Sequence, residues 1–524
     1  MKSVVFAIVL TVTIVSVGSA ASCESLATLA LSNITIAVAE SRPAGEFTPP
    51  GAGAKPIVNL PGFCRVAGAI KPSSDSDIRF EVWLPASNWN GKFQGIGNGG
   101  YAGAISFAGL AGAVRNGYAT ASTDTGHQDG NTSAKWALNH PEKIIDFGHR
   151  AIHETAIGAK AIIKAFYGAS PQRSYFSSCS NGGRQALMEA QRYPADYDGI
   201  IAGAPANHWT YLLSSAVSGV VATLAESASY IPTAKLAAIQ AAALAQCDGA
   251  DGVKDRVIEN PLACRFDPTP LLCKDAESDS CLTVHQLTAL KKIYGGLTNK
   301  KGEQIFPGLS PGGEAERGGW ADWITGEAPE KSLMFAFGTQ FFKNMVFSNP
   351  DWQFRSFDPD HDVKIADERM ARFLNSTEPD LSAFQKRGGK LILYHGWSDA
   401  AIPAVSTIKY YDSVISKMGA SAASSFVRLY MVPGMEHCSG GVGPNSFGQG
   451  VKASGDRFHN IDAALEAWVE QGTAPDRIIA TKHEINTDPK SSITRTRPLC
   501  AWPAVAKYKG SGSPDDEANF ICQK

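Results

Sequence analysis

Apolar and polar side chains alternate over residues 78–84, IRFEVWL, with the two-residue period of a half-buried strand. The segment WNGKFQGIGNGGYAG then runs a short strand into a glycine-rich turn that leaves backbone bare. Spaced apolar residues among alanines over 144–167 predict a helix. RSYFSSCSNGGRQALMEAQRYP reads as strand, tight turn and helix, and DYDGIIAGAP supplies another strand. The rhythm returns over 390–399 in KLILYHGWSD, followed by a helix ending near Met418, a strand in FVRLYMVPG and a helix in NIDAALEAWVEQG. Strands alternating with helices predict an α/β sheet.

Between about residues 207 and 381 that rhythm is absent. An Ala-rich helical piece, an acidic Cys-rich loop and a Gly-rich stretch lead to an aromatic cluster at Trp320, Trp323, Phe335, Phe337, Phe341 and Phe342. The pattern predicts an inserted lid domain over 207–381, splitting one core into residues 22–206 and 382–524. At the N-terminus, Lys2, an apolar run over 4–15 and the small residues Gly18, Ser19, Ala20 and Ala21 have the form of a signal peptide over 1–21. The run is too short to span a bilayer, so a secreted or periplasmic protein is expected.

Length and charge narrow the function. A chain of 524 residues exceeds what one core usually organises, which agrees with a core plus a lid. Its 48 basic and 50 acidic side chains nearly cancel, so no net field favours nucleic acid or a membrane surface, and a small neutral substrate fits better. Ten cysteines in an exported chain read as disulfides. Cys247/Cys264 and Cys273/Cys281 can staple local loops and Cys500/Cys522 can pin the tail. Cys23, Cys64, Cys179 and Cys438 remain, with three possible pairings.

A serine hydroxyl becomes nucleophilic when a base takes its proton, and many hydrolases present it on a strained strand-to-helix turn flanked by small residues. Ser178-Cys179-Ser180-Asn181-Gly182-Gly183 has that form, although Ser178 stands where the general G-x-S-x-G pattern has glycine. A Ser/Gly-rich helix cap would look the same. The remaining partners follow in the chain order Ser, Asp, His of α/β hydrolases: Asp399 after LILYHG and His437 after LYMVPGM, each just past a strand end. His395 reads as packing around Asp399, and His127 in STDTGHQ as a pocket residue. His149 and His153 share a helix face, as a metal pair would, without a third ligand at a known spacing. Asn181, directly after the nucleophile, supplies one N–H for an oxyanion.

On these residues the chain resembles the tannase and feruloyl esterase family, which also includes mono-hydroxyethyl terephthalate hydrolase, over nearly the whole mature length. The mark is a nucleophile and a base each flanked by cysteine, Cys179-Ser180 and His437-Cys438. The resemblance implies a Cys179–Cys438 bond, which leaves Cys23 to pair with Cys64. It implies an α/β-hydrolase core with a large inserted lid carrying a structural calcium ion. The ligands would be the side chains of Asp248, Asp251 and Asp255 and the carbonyls of Val253 and Val257, an all-oxygen set such as calcium requires. It also points to Gly100, with Gly99 as the rival, for the second oxyanion N–H. The implied activity is a serine carboxylesterase acting through an acyl-enzyme on esters of aromatic, hydroxycinnamic acids from plant cell walls, with gallate-ester hydrolysis (tannase) as the alternative. No arginine over 327–347 offers a secure partner for a terephthalate carboxylate. Two other classes stay open: a catalytically inactive, calcium-stabilised binding protein, and a zinc hydrolase.

Overall fold

The computed structural model describes residues 22–51, 53–449, 455–486, 488 and 490–524. The signal peptide expected over 1–21 lies outside the described residues. Nine strands form one mixed sheet: β1 (Ile34–Arg42), β2 (Phe63–Ile70), β3 (Ile78–Pro85), β4 (Lys92–Ile96), β5 (Ala119–Thr123), β6 (Arg173–Cys179), β7 (Gly199–Gly203), β8 (Lys390–Gly396) and β9 (Val427–Val432). Their spatial order is β1-β2-β3-β5-β4-β6-β7-β8-β9. The pairs β1/β2, β2/β3 and β3/β5 are antiparallel and all the others parallel. This is an α/β-hydrolase-type fold with a large mixed sheet.

Helices on both faces explain why the parallel strands read as continuous apolar runs; all five residues of β7 are buried. On β3 the expected half-exposed face is covered as well, and only Arg79 is exposed. Its polar positions are paired: Glu81 accepts from Arg65 and from Trp83 Nε1. The helix expected over 144–167 begins at Pro141, passes through a π turn at Asp146–Arg150 and continues as α1 (Ala151–Tyr167). Helix α2 (Asn181–Arg192) follows β6.

Between β7 and β8 the chain is mainly helical, with α3 (Trp209–Leu224), α4 (Val284–Gly295) and α5 (Leu333–Gln340). One apolar cluster joins Trp209, Val217, Phe341 and Phe342 of this insertion to Tyr101 and Phe147 of the preceding part. The insertion is therefore seated directly on the loops at the strand ends. Helices α6 (Ala404–Met418) and α7 (Ile461–Gln471) complete the layers. Two hairpins follow that the sequence pattern does not announce, Arg477–His483 with Ile493–Cys500 and Val505–Tyr508 with Phe520–Gln523.

The ten cysteines form five bonds: Cys23–Cys64, Cys179–Cys438, Cys247–Cys264, Cys273–Cys281 and Cys500–Cys522. Among the described residues no single helix is long and apolar enough to cross a membrane.

Candidate active site

Ser180 stands between β6 and α2 with φ +67° and ψ −128°, a conformation L-residues rarely adopt. Its N–H donates to the Gly203 carbonyl at 2.9 Å, which ties the turn to β7. The small residues after it are needed because α2 runs close to the strands. A Cβ at Gly183 would lie 2.3 Å from the Gly203 carbonyl oxygen, and one at Gly182 would lie 1.9 Å from Ser178 Oγ. The same contact explains the departure from G-x-S-x-G, since glycine at 182 leaves the room that the Ser178 side chain fills.

Three loops then converge at the C-terminal ends of the strands, where such sheets place their sites. His437 Nε2 lies 2.9 Å from Ser180 Oγ, and His437 Nδ1 lies 2.8 Å from Asp399 Oδ2. The other oxygen of Asp399 accepts the N–H groups of Ala401 and Ile402, both at 2.8 Å, so the carboxylate is held in one orientation. Burial pushes the Asp399 carboxyl up, but the charge of His437 and hydrogen bonds from His395 and His437 outweigh it and hold the group well below the usual carboxylate range. The order hydroxyl, imidazole, buried carboxylate is that of a charge-stabilised serine nucleophile.

Cys179 and Cys438 flank this series and are bonded across 259 residues. Because β4 pairs directly with β6, the glycine turn leaving β4 lies beside the Ser180 turn. Gly100 and Asn181 both line the cavity that reaches Ser180. As the first residue of α2, Asn181 has no intrahelical acceptor for its N–H. Gly100 has φ +57°, and a Cβ there would stand 2.4 Å from the Asn131 carbonyl oxygen, whereas a Cβ at Gly99 meets open space. Gly100→Ala is therefore expected to displace the turn and lower kcat on the order of 10²–10³-fold, the range for losing one oxyanion donor, with Gly99→Ala near wild type. Steady-state kinetics of the two variants on one ester check this, and equal losses would remove Gly100 from the role.

The cavity is walled by Trp209 and Leu213 of α3, by Met334 and Phe337 of α5, and by Trp323. None of its lining side chains is charged. Trp323 packs edge-on to the His437 ring at 5.2 Å and stacks on Phe337 at 5.8 Å. Of the aromatic cluster read from sequence, these two reach the site. Trp320 is buried within the insertion, and Phe341 and Phe342 lie in the cluster that joins it to Tyr101 and Phe147.

The remaining histidines are elsewhere. His395 lies 3.2 Å from Asp399 Oδ2 and is fixed by Thr407 Oγ1 at 2.7 Å, so it braces the carboxylate. His127, read as a pocket residue, is instead buried behind the glycine turn, stacked on Trp136 at 4.1 Å and bonded to the Tyr101 carbonyl at 2.7 Å. Burial lowers it to about 4, which keeps the ring neutral there. Two groups escape sequence reading. Arg184, fully buried, bonds Asn181 Oδ1 at 2.8 Å and the carbonyls of Phe147, Gly148 and Leu374, locking the first turn of α2. Glu436, next to the base in sequence, is pushed up to about 10 by burial and then by the charge of Asp399, and its carboxyl lies against Gly313 and Gly319.

Asp248, Asp251 and Asp255 lie on a separate loop closed by Cys247–Cys264. Asp248 accepts the N–H groups of Asp255 and Arg256, Asp251 that of Val253, and Asp255 that of Val257. Asp255 Oδ2 also meets Arg497 at 2.7 Å and Arg495 at 3.2 Å. Glu259 meets Arg497 as well, at 3.3 Å. Burial, then the charge of Asp255, pushes Asp251 up, and burial drives Glu259 to about 8. The loop thus gathers more acid than its cations neutralise, and its donors are all oxygen, which suits a hard cation. These acids are not drawn into one tight knot. Among the described residues, the one group of such side chains whose ligand atoms all lie within 4.8 Å of one another is His153, Glu189 and Asp196.

Comparison with known proteins places this arrangement. The family model described as tannase and feruloyl esterase matches residues 64–523. An uncharacterized esterase of Xanthomonas campestris pv. campestris is 43% identical, over 96% of this chain and 91% of that protein. The probable feruloyl esterase B-2 of Aspergillus flavus is 36% identical over 84% of each chain. The crystal structure of feruloyl esterase B from Aspergillus oryzae superposes with a TM-score of 0.88 at 32% identity, covering 96% of this chain and 99% of that one.

Proposed function

Because the chain belongs to the tannase and feruloyl esterase family, and is with it a carboxylic ester hydrolase, we propose that it is a serine esterase that cleaves esters of hydroxycinnamic acids. The observation that carries the reading is the hydrogen-bonded series Ser180, His437, Asp399 opening onto an uncharged aromatic cavity. Ser180 Oγ attacks the ester carbonyl carbon as His437 Nε2 takes its proton, and the N–H groups of Gly100 and Asn181 receive the developing oxyanion. The alcohol leaves with that proton. Water, deprotonated in turn by His437, then releases the aromatic acid and restores the hydroxyl. Asp399 holds the imidazole tautomer and offsets its charge throughout.

The cavity chemistry favours a hydroxycinnamate over a gallate. Three ring hydroxyls carried into this space would need hydrogen-bond partners, and each one unmet costs about 1–3 kcal/mol. Besides Ser180 and Asn181 the lining side chains offer only the indole N–H groups of Trp209 and Trp323, too few for three hydroxyls, while the faces of Trp323, Phe337 and Trp209 suit a flat apolar ring. The test is kcat/KM on methyl ferulate against methyl gallate. A higher value on the gallate would make the enzyme a tannase instead.

We read the insertion as a lid that sets acyl specificity, and five disulfides fit a secreted or periplasmic enzyme. Asp248, Asp251 and Asp255, with the carbonyls of Val253 and Val257, would hold a calcium ion that offsets the excess acid and anchors the loop against the C-terminal hairpin. The ion sits outside the chemistry. Removing calcium with EGTA is therefore expected to lower Tm by about 5 °C or more, with activity lost on warming and not on mixing. Differential scanning calorimetry with and without calcium checks this, and an unchanged Tm would remove the ion.

A further inference from the structure

Far from the esterase cavity, α1, α2 and the loop before β7 meet at three potential ligands. His153 lies on α1, Glu189 on α2, and Asp196 follows α2. His153 Nδ1 lies 2.6 Å from Asp196 Oδ2, and the ligand atoms of all three lie within 4.8 Å of one another. Glu189 is 1% exposed, and neither of its carboxyl oxygens has a hydrogen-bond partner. Lys160 is the nearby cation: its ammonium donates to the backbone carbonyl of Asp196 and its charge offsets part of that of Glu189, to which it makes no hydrogen bond. His149, one turn before His153, is bonded to Tyr193 Oη at 2.7 Å and does not join the group. The Tyr193 ring stacks on His153 at 3.8 Å and fixes its plane.

Asp196 has its contact with His153 Nδ1, but nothing donates to Glu189, and two carboxyls this close are held together by a proton or a cation. We propose that His153, Glu189 and Asp196 form a second metal site, structural in role, for a borderline divalent cation such as zinc. One imidazole nitrogen and two carboxylate oxygens make a three-ligand set that zinc accepts with water in the fourth position, whereas calcium wants six to eight oxygens. The His153 side chain is 24% exposed, which leaves a path for the ion and its water. A bound ion would clamp α2, which starts directly after the nucleophile, to α1 and to the loop entering β7. The site is independent of the esterase reading.

The test uses tag-free full-length protein, stripped with EDTA and returned to buffer with excess calcium so that the lid loop is out of the comparison. Titration with CoCl2 is expected to give visible absorption bands of low-symmetry cobalt that saturate at one equivalent, are bleached by ZnCl2 and accompany a rise in Tm. Changing an outer-sphere partner of a metal ligand costs 10–100-fold in affinity, so losing a ligand in Glu189→Gln or His153→Ala should weaken binding by about a hundredfold or more. If Glu189→Gln does not fold, His153→Ala on its partly exposed side chain and the wild-type spectrum carry the test. No stoichiometric spectrum in the wild type, or one that survives both substitutions, overturns the proposal. In the first case, a Glu189→Gln variant with unchanged or higher Tm would assign the pair a shared proton.

Discussion

Ser180→Ala is expected to lower kcat on aryl esters on the order of a million-fold while leaving KM and Tm near wild type. The side chain's oxygen makes its hydrogen bond to His437 Nε2, so its loss removes the attacking atom without unpairing a core group. Nucleophile removal in a triad costs about as much as removing the whole triad, and what remains, roughly 10³–10⁴ over water, comes from the oxyanion donors and binding. Covalent labelling by a fluorophosphonate should vanish in the same variant. A Ser180→Ala enzyme that kept a tenth of its turnover would end the serine mechanism. Labelling of the wild type without turnover of any ester would instead favour an inactive binding protein.

The second large effect belongs to the bond between Cys179 and Cys438. Closing a loop of 259 residues restricts the unfolded chain by about 5–6 kcal/mol in the chain-entropy picture, a large share of a typical domain's net stability. The bond also joins the neighbours of Ser180 and His437, so its removal relaxes the 2.9 Å contact between them. A misplacement of about 1 Å in such a contact costs on the order of a hundredfold in rate. The double variant Cys179→Ser, Cys438→Ser should therefore lose both stability and kcat, with kcat read well below its Tm and free of an unpaired thiol. Wild-type kcat at low temperature would make the bond a brace for the fold alone.

Much of the site was legible because its chemistry is written locally. A serine between a strand-forming and a helix-forming stretch, with glycines at 182 and 183, reads as a tight turn, and the structure shows why the glycines are there: a Cβ would meet Ser178 at 182 and the Gly203 carbonyl at 183. Asp399 and His437 each follow an apolar run that becomes β8 or β9, so their place at the strand ends follows from the period of the pattern. The edge strand β1 was harder to see. β1 is half-exposed along most of its length and shifts register between Ile36 and Val38, which blurs its alternation. The arginines of the Ile493–Cys500 strand look like solvent-facing charges until Asp255 and Glu259 meet them from 238 or more residues away.

By itself the sequence determined the alternation of strands and helices, the tight turn at Ser180, the strand ends at which Asp399 and His437 stand and the inventory of cysteines, because each depends on neighbours within a few residues. Tertiary structure alone decided the distances from Ser180 to His437 to Asp399. It also chose which aromatic side chains face the cavity, moved His127 behind the glycine turn and gave His153 its partners on α2. Those outcomes depend on contacts between residues distant along the chain, and such contacts leave no period or spacing in the sequence to read.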